Sequence, residues 1–122
     1  MSDSVRVLVV DDDFRVAKIH AAYVERTRGF TVCGQAHSAE QALAAVAALR
    51  PDLVLMDVYL PDGDGLGVIR KLLEGADEGV HPDFVVITAA RDVDTVRTAM
   101  QLGAVHYLVK PFGYPAMAEK LT

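Results

Sequence analysis

The chain has 122 residues, of which 52% are hydrophobic and 24% charged, which fits one folded domain around one core and excludes a disordered polypeptide. Its 12 basic residues against 17 acidic ones give a net charge of −5, a poor match to nucleic acid. No apolar stretch reaches the roughly 18 residues of a membrane span. Asp3 and Arg6 interrupt any signal-peptide core, and the single cysteine, Cys33, excludes an internal disulfide, so a reducing, cytoplasmic setting is expected.

Two kinds of apolar pattern alternate along the chain. Strand-like runs occupy 5–10, 30–36, 53–56, 84–87 and 105–109, and helix-like segments lie near 14–28, 38–49, 65–75 and 92–102, with a fifth starting near 114. In the first helix Val16, Ile19 and Tyr23 recur at helical spacing, and Gly29 supplies a stop. The second opens on Ser38 with Gln41 three residues later, a capping-box arrangement, and Pro51 blocks its continuation. In the fourth, Val93, Val96 and Met100 share a face, with Asp92 suited to its start and Gly103 to its end. Cys33, inside the second strand, reads as a small buried hydrophobe.

Five strand–helix repeats predict an α/β domain: a doubly wound, five-stranded parallel sheet with helices on both faces. In the flavodoxin-like order 2-1-3-4-5, strands 1 and 3 are neighbours, and ligands bind beyond their carboxyl ends. Each of those strands is a continuous apolar run, and the first polar residue after it marks where it emerges. Asp11, Asp12 and Asp13 follow the first run and Asp57 the third. Two carboxylates about 4 Å apart repel by roughly 4 kcal/mol at an effective dielectric of about 20, so such a convergence calls for a cation. Strand 4 ends on Thr88 and strand 5 on Lys110. Carboxylate oxygens suit Mg²⁺, Lys110 is a compact cation able to pair with Asp57 and then with a phosphoryl oxygen, and Thr88 offers a hydroxyl to a new anion. Asp57 could then act as a nucleophile and form an acyl phosphate.

These residues carry a resemblance. Val9-Val10-Asp11-Asp12, Leu55-Met56-Asp57, Leu60-Pro61-Asp62-Gly63 with Gly65, Val86-Ile87-Thr88-Ala89, Tyr107 and Lys110-Pro111-Phe112 resemble the receiver domain of bacterial response regulators over essentially the whole chain. The resemblance implies a phosphorylation-activated switch of a two-component system, a signalling domain with no enzymatic activity beyond its own phosphoryl transfer and autodephosphorylation. Asp57 matches the phosphoacceptor, fed by the phosphohistidine of a sensor histidine kinase. Asp12 matches the direct Mg²⁺ ligand, Asp11 its acidic neighbour, and the backbone carbonyl of Tyr59 a further ligand, with Mn²⁺ an alternative ion. Lys110 matches the phosphoryl-binding lysine, usually joined through a cis bond to the next proline, here Pro111. Thr88 and Tyr107 match the switch pair, and the face of helix 4, strand 5 and helix 5 the surface that signals to an output domain or partner. Tyr59 and Ala90, two residues past Asp57 and Thr88, flank the path of the water that removes the phosphoryl group and are expected to tune its lifetime. Phe14 to His20 with Tyr23-Val24 resembles the citrate and C4-dicarboxylate-sensing branch, whose members usually carry a C-terminal helix-turn-helix domain.

The chain ends at Thr122 inside an amphipathic segment, so residues 1–122 read as a receiver cut within its last helix, its output domain outside this chain. Contact with nucleic acid is then expected only through that domain, and self-association through the last helices is left open. Asp13 reads as a cap or a solvent-facing residue, and Asp62 and Asp64 as turn residues, because the loop lacks the bidentate glutamate of a calcium site. His20, His37, His81 and His106 have no ligand spacing. A haloacid-dehalogenase-type phosphatase would usually need an acid two residues after the nucleophile, where this chain has Tyr59. A degenerate adaptor would be expected to lack one of the acids, the threonine or the lysine.

Overall fold

The computed structural model describes residues 4–76, 81–89 and 92–122. In chain order the elements are Val5–Val10 (β1), Phe14–Arg26 (α1), Phe30–Ala36 (β2), Ala39–Leu49 (α2), Leu53–Asp57 (β3), Tyr59–Leu60 (β4), Gly63–Asp64 (β5), Gly65–Glu74 (α3), Asp83–Ala89 (β6), Val93–Leu102 (α4), His106–Lys110 (β7) and Tyr114–Leu121 (α5). Five strands form one parallel sheet in the order β2-β1-β3-β6-β7. Counted along the sheet strands alone, that is the expected 2-1-3-4-5. The pair β4-β5 is a small antiparallel ribbon between β3 and α3, absent from the sequence reading.

Both faces of the central strands are covered, which is why their sequences are apolar without alternation. Leu8, Val10, Val54, Met56 and Val86 join Ala42, Leu66, Ile69 and Ala99 on one side of the sheet. On the other, Val7, Val9, Leu55, Val85 and Ile87 pack with Ala17, Val24 and Met117. Val7 to Val10 are completely buried.

Two helices pack on the sheet through a face other than that of their large apolar residues. In α1 the buried stripe is Ala17, His20, Ala21 and Val24, while Ile19 is 49% exposed. The two alanines let α1 lie close to the sheet, and half-buried Tyr23 turns toward Tyr114 of α5, ring centroids 6.1 Å apart. In α4 only Ala99 is buried, and Val93 and Met100 face solvent. Periodicity identified the helices, but the small residues, not the large apolar ones, decide which side approaches the sheet.

The helix starts follow ordinary capping chemistry. Asp13 accepts from the amides of Arg15 and Val16, Ser38 from Gln41, and Asp64 from Gly67. Gln41 reaches back to the His37 amide, so the predicted capping box closes one residue early. α1 ends at Arg26 with Thr27 as its C-cap, two residues before Gly29, which takes up the left-handed turn at φ 90°. Gly65 has a harder constraint: a Cβ there would stand 2.2 Å from the Asp57 carbonyl oxygen and 2.7 Å from Met56 Cγ. Only glycine lets α3 begin against the end of β3.

Candidate functional site

Val10 of β1 pairs with Met56 of β3, so Asp11 and Asp57 leave adjacent strands at the same level. Carboxylate oxygens of Asp11, Asp12 and Asp57 lie within 4.8 Å of one another. Asp11 and Asp57 are buried, and Asp12 is exposed at the rim. Lys110, at the end of β7, reaches back across the sheet edge. Its Nζ stands 2.8 Å from Asp11 Oδ2 and 3.4 Å from Asp57 Oδ2, and it donates a hydrogen bond to the latter. The Lys110–Pro111 peptide bond is cis.

Three carboxylates share one ammonium, so negative charge is in excess. Burial, reinforced by the Asp11 charge, pushes the Asp57 carboxyl up to about 6 although Lys110 opposes the shift. Burial works against the Lys110 ammonium, but Asp11 and Asp57 outweigh it and raise its pKa. Asp11 Oδ2 is buried and held by the Lys110 ammonium at 2.8 Å. An all-oxygen donor set with two of its carboxylates buried and negative charge in excess fits a hard divalent cation.

Asp13 points away from this cluster, its side chain spent on capping α1, while its own amide donates to Asp11 Oδ1. Asp62 and Asp64 are likewise structural. Asp62 accepts from the Ala39 and Glu40 amides at the start of α2, and Asp64 caps α3. Of the histidines, His37 donates from Nδ1 to the Asp11 carbonyl and lies 3.9 Å from the Phe14 ring, a pair beside the site that sequence reasoning did not assign. His20 is buried and stacked on Phe112 at 4.6 Å, and burial lowers its pKa, which favours the neutral ring. Cys33 is partly buried against the core, and burial raises its thiol pKa.

Thr88 is buried at the end of β6, next to β3, but its hydroxyl donates to Asp92 Oδ2 at 3.1 Å. The Tyr59 phenol donates to the same oxygen, and Tyr59 is 56% exposed. Asp92, read from sequence only as a helix start, is therefore the acceptor for both hydroxyls. Tyr107 lies on β7 opposite Val86, 38% exposed, with Lys120 Nζ 5.5 Å above its ring. Ala90 lies outside the described residues.

With this geometry established, the sequence model of the family described as response regulator receiver domain matches residues 7–122. The chain belongs to that family. It is 35% identical over 118 residues to the "Probable C4-dicarboxylate response regulator DctR" of Halalkalibacterium halodurans, an alignment covering 97% of this chain and 50% of the relative. It is 34% identical to the "Transcriptional regulatory protein DpiA" of Escherichia coli over 122 residues, covering 100% of this chain and 53% of the relative. The receiver thus spans about half the length of the curated relatives it matches, and the name of the first agrees with the dicarboxylate-branch resemblance. Among solved structures, the receiver domain of the response regulator NarL from Mycobacterium tuberculosis superposes with a TM-score of 0.86 at 24% identity, covering 98% of this chain and 94% of that one. That likeness supports the doubly wound fold. No helix among the described residues is long and apolar enough to cross a membrane.

Proposed function

We propose that this receiver accepts a phosphoryl group on Asp57 from the phosphohistidine of a sensor histidine kinase, in the cytoplasm and with Mg²⁺ (or Mn²⁺) bound at Asp11, Asp12, Asp57 and the Tyr59 carbonyl. The observation that carries the reading is the shared pocket of Asp11, Asp57 and Lys110, with Asp12 at its rim. Phosphoryl transfer depends mainly on placement and on neutralising charge over the equatorial oxygens. Bound Mg²⁺ would supply part of that neutralisation. Lys110 would supply the rest, releasing Asp57 to pair with the incoming group. A carboxylate oxygen of Asp57 bonds to phosphorus as the bond to the donor breaks, and the donor leaves with the electron pair. The receiver's reactions are this transfer and the hydrolysis of its own acyl phosphate.

The new group replaces one negative charge by roughly two and adds acceptor oxygens. Thr88 turns toward it, and Tyr107 moves into the space vacated, reshaping the face of α4, β7 and α5. Inverting a 1:99 population needs about 5.5 kcal/mol of differential stabilisation, within reach of new charge-assisted hydrogen bonds at the site. The relatives named as regulators are about twice as long as this chain, which supports residues 1–122 as the phosphoacceptor part of a transcription regulator. On this reading DNA is bound by an output domain encoded elsewhere in the protein, and that domain, or a second copy of the receiver, meets the α4–β7–α5 face. Incubation with acetyl phosphate and Mg²⁺ tests the core of this. Phosphate should be incorporated by the native domain and not by Asp57→Asn; undiminished incorporation in the variant would refute the assignment.

A further inference from the structure

Asp92 stands at the N-cap position of α4, yet its side chain makes no capping bond there. Asp13, Ser38 and Asp64, at the starts of α1, α2 and α3, all cap, with ψ values of 113°, 167° and 158°. Asp92 has ψ 60° instead, and its Oδ2 accepts the Thr88 and Tyr59 hydroxyls. A residue type well suited to capping has been drawn off to hold two hydroxyls, one of them the group that the phosphoacceptor reading requires to move.

We propose that Asp92 is a positioning residue with two alternative duties. In the resting receiver its carboxylate holds the Thr88 hydroxyl back from Asp57; when Thr88 turns to the phosphoryl group, the same carboxylate caps the N-terminus of α4. The exchange links chemistry at Asp57 to the start of the helix that opens the output face. It conserves hydrogen bonding: Thr88 trades Asp92 for a phosphoryl oxygen, Asp92 gains a backbone amide otherwise without a partner in its own helix, and the exposed Tyr59 hydroxyl can donate to water instead. The balance keeps the two arrangements close in energy, as a switch requires. This inference rests on Asp57 being the phosphoacceptor.

Amide hydrogen exchange with beryllofluoride and Mg²⁺, a stand-in for the phosphoryl group, tests it. Binding is followed separately through the Mg²⁺-dependent shifts of the Asp57 and Lys110 amides. In the native receiver, binding should slow exchange at Asp94 and Thr95, the second and third residues of α4, roughly five-fold, the effect of a cap of about 1 kcal/mol. Asp92→Ala should lose that slowing, and Asp92→Asn, which can still accept and cap, should recover it. Before any ligand is added, Asp92→Ala should also move the Thr88 methyl resonance toward its beryllofluoride-bound position. Binding without slower exchange at α4, or slowing that survives in Asp92→Ala, would overturn the proposal. Absence of Mg²⁺-dependent binding would overturn the phosphoacceptor reading itself, and this inference with it.

Discussion

Asp11 and Asp57 lie almost beyond the reach of water, whereas Tyr59, along the same sheet edge, is more than half exposed and Asp92 is partly so. The first cluster is electrostatically unbalanced, with three carboxylates around one ammonium and a carboxyl pushed up to about 6. The second is a lone carboxylate, one oxygen of which is satisfied by two hydroxyl donors. Excess negative charge in a buried site creates a demand for a cation. Neutral donors near the surface can exchange partners at little cost. A switch needs both, one region that recognises the signal and another that can rearrange in response.

The largest expected effect breaks the unbalanced cluster at its rim. Asp12 contributes to the group of converging carboxylates and Asp13 does not. Asp12→Ala should therefore weaken Mg²⁺ binding by at least about ten-fold, while Asp13→Ala, which removes only a helix cap worth about 1 kcal/mol, should leave the affinity within a factor of two or so. A fluorescence or calorimetric titration of the two variants compares them directly. The reverse order would mean that the assigned register is off by one residue.

The stored repulsion should also be visible as stability. A carboxyl raised from an unfolded value of about 3.9 to about 6 opposes folding when ionised, by about 2 to 3 kcal/mol. The penalty is fully present above about pH 7, falls as the pH drops through 6, and is gone only below about pH 3, where Asp57 is protonated in both states. In urea denaturation without divalent metal, Asp57→Asn should therefore be more stable than the native domain at pH 7.5, with the gain reduced to about a fifth near pH 4. A gain that is absent at pH 7.5, or unchanged at pH 4, would contradict the origin assigned to the raised pKa.

How far the sequence revealed these two regions follows from their construction. Asp11 and Asp57 are the first polar residues after fully apolar runs, so strand periodicity alone marks them as emerging at one sheet edge. Lys110 and Thr88 end their own strands in the same way, and the receiver resemblance supplies their roles. The Thr88–Asp92–Tyr59 arrangement was not legible. Asp92 carries the ordinary signature of a helix cap, and its partner Tyr59 lies 33 residues away on a ribbon that no pattern announced. The faces by which α1 and α4 approach the sheet were hidden for a related reason. Large apolar residues mark a helix as amphipathic, but Ala17, Ala21 and Ala99 are what allow close approach, and alanine carries little weight in a hydrophobic pattern.

The smallest expected effect concerns the exposed side of the comparison. Tyr59 stands two residues past Asp57, and its ring is tethered through the phenol to Asp92 beside Thr88. On the proposed reading, water attacking an acyl phosphate on Asp57 would pass this ring. Tyr59→Ala should open that path and speed autodephosphorylation roughly three- to ten-fold, about 1 kcal/mol of barrier. Tyr59→Phe keeps the bulk but loses the hydroxyl, so it separates obstruction from tethering. If obstruction dominates, the phenylalanine variant keeps nearly the native lifetime; if the tether holds the ring in place, its lifetime shortens toward that of the alanine variant. The rate is read from the decay of acyl phosphate after the phosphodonor is removed, and an unchanged rate in Tyr59→Ala would show that the ring does not guard the site.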